Sequence, residues 1–172
     1  VSSDAGSPTR SPTKTLKVLF IGNSYTARHQ LADVVKRLAE SGDADLEFDY
    51  DTVIYGGRTL ADHWRLGTAN IVNRESLTRE QQQKTIQGLK EAVASDPEDR
   101  YAPAALKRHQ QVLADLESGR TTWDVVVLQS YRDDREGAES RYAQFAPKFA
   151  ALAQEIGARV VLYETTPTTQ NA

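Results

Sequence analysis

A β-favouring run that ends in a glycine, followed at once by a helical pattern, is the feature that most constrains this chain. Residues 16–21 are mostly apolar, and Gly22-Asn23-Ser24 closes the run. Apolar residues then recur at helical spacing, at positions Leu31, Val34, Val35 and Leu38. This order of strand, tight turn and helix places the Ser24 hydroxyl at the carboxyl end of a strand, where open α/β sheets bind their ligands. Free N–H groups at the helix start suit an oxyanion or a phosphate, so Ser24 is the first candidate for chemistry.

The same order of strand, glycine turn and helix recurs further along the chain. Residues 46–55 have a β-favouring composition and end at Gly56-Gly57, after which a helix is expected. Residues 123–129 and 159–163 supply two more strands, and the unbroken apolar run of the first is typical of burial on both faces. The pattern predicts an α/β fold with a doubly wound parallel sheet, of the flavodoxin-like three-layer kind. Residues 65–120 lack a strand pattern and are interpreted as a helical insertion between strands 2 and 3.

Composition limits the class of protein. The chain has 172 residues, 39% of them hydrophobic and 26% charged, with a net charge of −3. That length is enough for one globular domain, and no basic face for nucleic acid stands out. The apolar runs are too short to cross a bilayer. From the charge distribution and the short apolar runs we expect neither nucleic acid nor a membrane as partner. Cysteine is absent, which excludes disulfides and thiolate chemistry.

The chain begins with a polar leader. Residues 1–15 are small, polar and interrupted by proline, which predicts disorder, and residues 16–172 are expected to form the single domain. The leader and the lack of an initiator methionine favour an extracytoplasmic protein, periplasmic or secreted, whose signal peptide has been removed. A trimmed cytosolic chain is the alternative.

The first two strand ends resemble sequence blocks of a known family. Residues 21–26, Ile-Gly-Asn-Ser-Tyr-Thr, are similar to the first block of the SGNH (GDSL-type) hydrolases, with Asn23 where aspartate is commoner. Gly57-Arg58-Thr59 is similar to their second block, and residues 124–129 take the place of the strand that leads to their third block. The resemblance implies an SGNH-type serine esterase that removes acyl groups from a carbohydrate or a similar polar ester, without a cofactor or a metal.

The resemblance also implies roles for particular residues. Ser24 is the expected nucleophile, and the N–H groups of Ser24 and Gly57 are expected to hold the oxyanion. Gln129 is expected to supply its side-chain amide as a third donor, because it carries the same donor group as the family's asparagine. The expected substrate contacts are Asn23, His63 and Arg132, and Arg132 is also the alternative third donor.

A catalytic base is missing from this pattern. A serine hydroxyl needs an adjacent base, normally a histidine oriented by a carboxylate. The family supplies both in an Asp-x-x-His motif near the carboxyl terminus, after a fifth strand, and neither occurs in this sequence. Two hypotheses follow. The chain is a fragment that lacks its C-terminal strand and Asp-x-x-His segment, or it uses another base, for which His63 beside Asp62 is the best candidate.

Non-enzymatic hypotheses also stay open. The hydroxyl-rich helix start at Ser24 and Thr26 is compatible with a phosphate ligand in a flavodoxin-like binding module. A catalytically inactive SGNH-like relative would keep the pocket for polysaccharide binding. In the simplest alternative, Ser24 only satisfies free N–H groups at a helix start. The oligomeric state is not indicated by the sequence.

Overall fold

The fold is built on four parallel strands. The computed structural model describes residues 13–116, 121–130 and 140–165. Within them the strands lie in the order β2-β1-β3-β4, and every neighbouring pair is parallel. The strands are β1 (Lys14–Gly22), β2 (Leu46–Ile54), β3 (Val125–Leu128) and β4 (Arg159–Leu162). The predicted parallel α/β sheet is therefore confirmed. Lys14 and Thr15, which were assigned to the leader, belong to β1 because they pair with the first residues of β2.

Helices connect the strands. Thr78 caps its helix with the reciprocal hydrogen bonds of a capping box, and Pro103 lies in the first turn of the next helix. A single 3₁₀ turn, Arg28–Gln30, separates the first two helices. The helices are α1 (Ser24–Ala27), α2 (Leu31–Gly42), α3 (Leu60–Arg65), α4 (Thr68–Val72), α5 (Arg79–Ser95), α6 (Ala102–Asp115) and α7 (Arg141–Glu155). None of the helices in the described residues has both the length and the apolar composition that a bilayer span requires.

The helices cover the two faces of the sheet unequally. Crossovers between parallel strands are right-handed, so the connection from β1 to β2 packs on the face opposite to the connections that lead to β3 and β4. The large core cluster, with Leu19, Ile21 and Phe149 at its centre, lies on the face covered by α3 to α7. The small cluster, which includes Val18 and Phe20, lies under α2.

On the α2 face an apolar groove of about 340 Å³ remains beside the helix. It runs from Leu31 and Val35 across β1 and β3 to Val161 and Leu162 of β4, which are 46% and 53% exposed.

The inner face of α2 was predicted incorrectly in part. Val34 and Leu38 are 44% and 67% exposed, whereas Ala32 is the buried residue of this helix. The stripe that meets the sheet contains Leu31, Ala32, Val35 and Ala39. Val34 and Leu38 lie on the flank of this stripe, since successive helical residues are about 100° apart.

Candidate active site

Three strand ends meet at one edge of the sheet. Gly22, the last residue of β1, pairs with Ile54, and the ladder continues because the Tyr55 N–H donates to the Gly22 carbonyl at 3.0 Å. On the other side, the Gln129 N–H donates to the Ile21 carbonyl at 2.9 Å. The segments that follow β1, β2 and β3 therefore lie side by side at the carboxyl edge, which is where a parallel sheet places a ligand site.

The turn after β1 is held by Asn23. Its side-chain oxygen accepts from the Tyr25 N–H at 3.0 Å, which caps α1, and its amide nitrogen donates to the Arg58 carbonyl at 3.1 Å. The side chain is fully buried. Asn23 was predicted to contact substrate; in this structure both ends of its amide are bonded inside the protein, and the substrate contact stays a prediction. Its role is to join the loop after β1 to the loop after β2.

Gln129 fixes the same turn from the side of β3. Its side-chain oxygen accepts from the Asn23 N–H at 2.9 Å and from the Thr26 hydroxyl at 3.0 Å. Its amide nitrogen donates to the carbonyl of Ser130, and the side chain has no exposed surface. Gln129 was predicted to be an oxyanion donor. In this structure the side chain holds the turn after β1 through these contacts, and the donor role stays a prediction.

Gly22 is required by this packing. A Cβ atom at residue 22 would lie only 2.8 Å from the Gln129 side-chain oxygen and would also overlap the Thr26 hydroxyl. The glycine of the turn therefore leaves room for the Gln129 side chain, which binds the Asn23 N–H, and for the Thr26 hydroxyl, which donates to Gln129.

His63, on α3, contacts the residue that precedes the Asn23–Ser24 turn. Its Nε2 lies 2.9 Å from the Gly22 carbonyl, so Nε2 carries the proton and donates, and Nδ1 accepts from the Thr68 hydroxyl at 3.2 Å. The ring is fully buried, and this burial lowers the pKa of His63 to about 4. His63 was predicted to be a substrate contact and the best base within the chain. In this structure the ring is enclosed, both of its nitrogens have partners, and no hydrogen bond among the described residues joins it to Ser24. The two roles stay predictions.

Two backbone donors remain available at the edge. Ser24 is exposed and is the first residue of α1, where an N–H group has no acceptor inside the helix. Gly57 is also exposed, in a turn closed by the Arg58 N–H and the Tyr55 carbonyl at 3.2 Å. Its φ of 67° is left-handed, which favours glycine, and among the described residues its N–H has no hydrogen-bond partner. These are the two N–H groups that were expected to hold an oxyanion.

The three histidines of the chain differ in access. His109 is buried, with its ring nitrogens bonded to Gln82 and to the Leu66 carbonyl, and His63 is enclosed as described. His29 is exposed in the 3₁₀ turn, five residues after Ser24, with a left-handed φ of 53°. Within the described residues no hydrogen bond joins any imidazole to Ser24. The predicted contact Arg132 lies outside the described residues.

Sequence reasoning gave no role to Tyr101 or Arg28 and offered Thr26 only as a phosphate contact. Thr26 binds Gln129, the Tyr101 hydroxyl donates to the Gly56 carbonyl, and Arg28 stacks on Tyr25. The position of Thr26 in the first turn of a helix at the site was an available signal. Tyr101 gave none, because it lies 45 positions from its partner in a helical segment.

No protein-family model, curated protein or solved structure matches this chain. Residues 13–116, 121–130 and 140–165 also contain no group of three or more histidine, cysteine, aspartate or glutamate side chains placed to hold a metal ion. The geometry of the strand ends therefore carries the functional argument.

Proposed function

We propose that this chain is an SGNH-type serine hydrolase that removes an acyl group from a carbohydrate or a similar polar ester, with Ser24 as nucleophile. The observation that carries the proposal is the exposure of Ser24 at a sheet edge where the backbone N–H groups of Ser24 and Gly57 have no hydrogen-bond partner among the described residues. A serine that merely capped a helix would not need a second donor from the next strand.

The proposed reaction follows from these positions. The Ser24 Oγ attacks the ester carbonyl carbon and gives its proton to a base, and the carbonyl oxygen becomes an oxyanion held by the Ser24 and Gly57 N–H groups. Each such donor contributes about 3 kcal/mol to the transition state. Collapse of this intermediate expels the alcohol, which takes up the proton, and leaves an acyl-serine. Water then releases the acid and restores the hydroxyl.

The general base that accepts the Ser24 proton has two possible sources. With His63 and His109 enclosed, His29 is the exposed imidazole of the chain. Either His29 takes the proton, or the base comes from outside this sequence, as in the hypothesis of a longer hydrolase. In the same proposal, the helices between β2 and β3 are an insertion that forms a wall of the site, and the protein works outside the cytoplasm.

A fluorophosphonate probe tests the nucleophile without a known substrate. We expect labelling confined to Ser24 when the modified peptide is mapped by mass spectrometry, and none in Ser24→Ala. Ser41→Ala is the matched control, because Ser41 is an exposed serine on α2 that is far in sequence from the strand ends. Loss of labelling in His29→Ala would place the base within the chain. Absence of labelling in well-folded protein would reject the hydrolase for this chain.

The second candidate is an inactive relative that binds polysaccharide at the same edge. It is favoured by one observation, that Ser24 has no histidine partner within the described residues. The phosphate-binding version is less well supported, because the Thr26 hydroxyl is buried and committed to Gln129. Saturable binding of an oligosaccharide by unlabelled wild-type protein would favour this candidate.

A further inference from the structure

Two arginines lie on the segments that follow β1 and β2. The Arg28 guanidinium lies over the Tyr25 ring, 5.0 Å from its centroid, and the Arg58 guanidinium lies over the Tyr101 ring at 4.8 Å. Both arginines are exposed. The segments that carry them are joined by the bond from the Asn23 amide to the Arg58 carbonyl, so both arginines are carried by the sheet edge that carries Ser24.

The described carboxylates near these loops are engaged elsewhere. Asp62 accepts from the N–H and the hydroxyl of Thr59 in the capping box of α3. Asp99 pairs with Arg65 at 2.9 Å. Within residues 13–116, 121–130 and 140–165, neither Arg28 nor Arg58 forms an ion pair. Positive charge at this edge is therefore not neutralised by a described carboxylate.

Each guanidinium group also packs over an aromatic ring. A guanidinium group in such a contact keeps N–H groups that can bind the two oxygens of a carboxylate, phosphate or sulfate. The Tyr101 ring is itself fixed, since its hydroxyl donates to the Gly56 carbonyl. Side chains held in this way lose less conformational freedom when they bind an anion.

We infer that Arg28 and Arg58 recognise an anionic group on the substrate, so that the esters this site takes are those of acidic compounds such as uronate-containing carbohydrates. This inference rests on the proposed function for the ester, and its recognition step is separable from catalysis. The neutral ester would lack partners for both guanidinium groups.

The binding step can be measured in Ser24→Ala, which removes any hydrolysis. Galacturonate and galactose differ in one carboxylate and serve as the probes, with the arginine Nε–H signals followed by NMR. We expect saturable shifts of the Arg28 and Arg58 signals with galacturonate, and affinity about tenfold weaker for galactose. Arg28→Gln and Arg58→Gln should each weaken galacturonate binding about threefold, the size expected for exposed charge pairs. Arg37→Gln, an exposed arginine of α2, is the control and should change nothing.

The outcomes separate this inference from the proposed function. Equal affinity for the two sugars, the absence of saturable shifts with either, or full binding by both arginine variants would overturn the inference, even if Ser24 is labelled by the fluorophosphonate. Selective binding of galacturonate without labelling of Ser24 would support anion recognition and reject the hydrolase.

Discussion

His63 and His109 are two buried histidines in the same ionisation state, and they support different regions of the molecule. Each donates from Nε2 to a backbone carbonyl, of Gly22 at 2.9 Å and of Leu66 at 3.0 Å. Each accepts at Nδ1, and burial lowers the pKa of both. The carbonyl bound by His63 directly precedes the turn that carries Ser24, whereas His109 joins α6 to the end of α3. The comparison shows that the same chemistry serves a site in one region and helix packing in the other.

The partners of Nδ1 differ in a way that affects protonation. Nδ1 of His63 faces the Thr68 hydroxyl, which can rotate to accept a proton from a charged ring. Nδ1 of His109 faces the amide nitrogen of Gln82 at 2.9 Å, and this amide also donates to the His109 carbonyl. An amide N–H group cannot accept, so a charged His109 would face another donor. Protonation of His63 is opposed mainly by desolvation. Protonation of His109 is opposed by desolvation and also by the Gln82 amide, which is a donor.

The largest expected effect is the loss of either ring. His63→Ala and His109→Ala should each lower the free energy of unfolding by about 3 kcal/mol, because each leaves a cavity and unpaired buried groups. Only His63→Ala should abolish fluorophosphonate labelling of Ser24 in the folded fraction, since it removes the side-chain donor to the Gly22 carbonyl and leaves the Tyr55 N–H as its partner. Denaturant titration and peptide mapping give the two quantities. His63→Gln, which keeps an N–H donor, is the conservative control and should recover part of the labelling.

If the two alanine variants lost labelling to the same extent at equal folded fraction, the comparison would fail. The support of Ser24 would then depend on global stability and not on the contact between His63 and Gly22.

Acid should destabilise the protein through the same histidines. The pKa of His63 is about 4 when folded against 6.5 for the free group, so below pH 6.5 the unfolded chain binds more protons. Stability present above pH 6.5 is therefore lost as the pH falls towards 4, by about 3 kcal/mol for His63 alone. Denaturant titrations between pH 7 and pH 5 stay above most carboxylate titration. The dependence of the free energy of unfolding on pH should become shallower in both His63→Ala and His109→Ala, and an unchanged slope in His63→Ala would contradict the assignment.

A smaller effect is expected from the Nδ1 partners. Thr68→Val removes the hydroxyl that donates to His63 and should cost about 1 kcal/mol, with Ser24 labelling retained because Nε2 still binds Gly22. Gln82→Leu removes two hydrogen bonds at His109 and should cost somewhat more, also with labelling retained. Thermal unfolding followed by circular dichroism measures both. A strong loss of labelling in Thr68→Val would mean that the ring orientation, and not only its donor, controls the turn.

The sheet could be predicted because each of its strands is marked by a short, continuous segment of the sequence. Each strand is an apolar run with a clear end, and the helix starts at Thr78 and Pro103 follow known capping chemistry. The exposed side of α2 could not be predicted. The elements that pack beside the helix decide which edge of its apolar stripe is buried, and the helix sequence alone does not specify them. Val34 and Leu38 are exposed because the α2 face carries little else in the described residues.

The candidate site was predictable in position but not in the direction of its side chains. The three strand ends meet as their sequence pattern indicated, yet Asn23, His63 and Gln129 turn inward. A polar residue beside a reactive turn can face a ligand or support the backbone, and partners distant in the chain decide between these. Gln129 lies 106 positions from Asn23, and His63 lies 41 positions from Gly22. Such long-range hydrogen bonds leave no periodic trace in the sequence.

The apolar groove beside α2 affects how the folded state should be monitored. Environment-sensitive dyes such as anilinonaphthalene sulfonate fluoresce when they enter apolar clefts, and this groove offers one lined from Leu31 to Val161 in the native protein. Dye fluorescence would therefore be high before any unfolding and would fall or drift on heating. Trp123 is a better reporter, because it is buried and its indole N–H donates to the Ile71 carbonyl at 2.9 Å. Its emission should shift to the red only when the core opens.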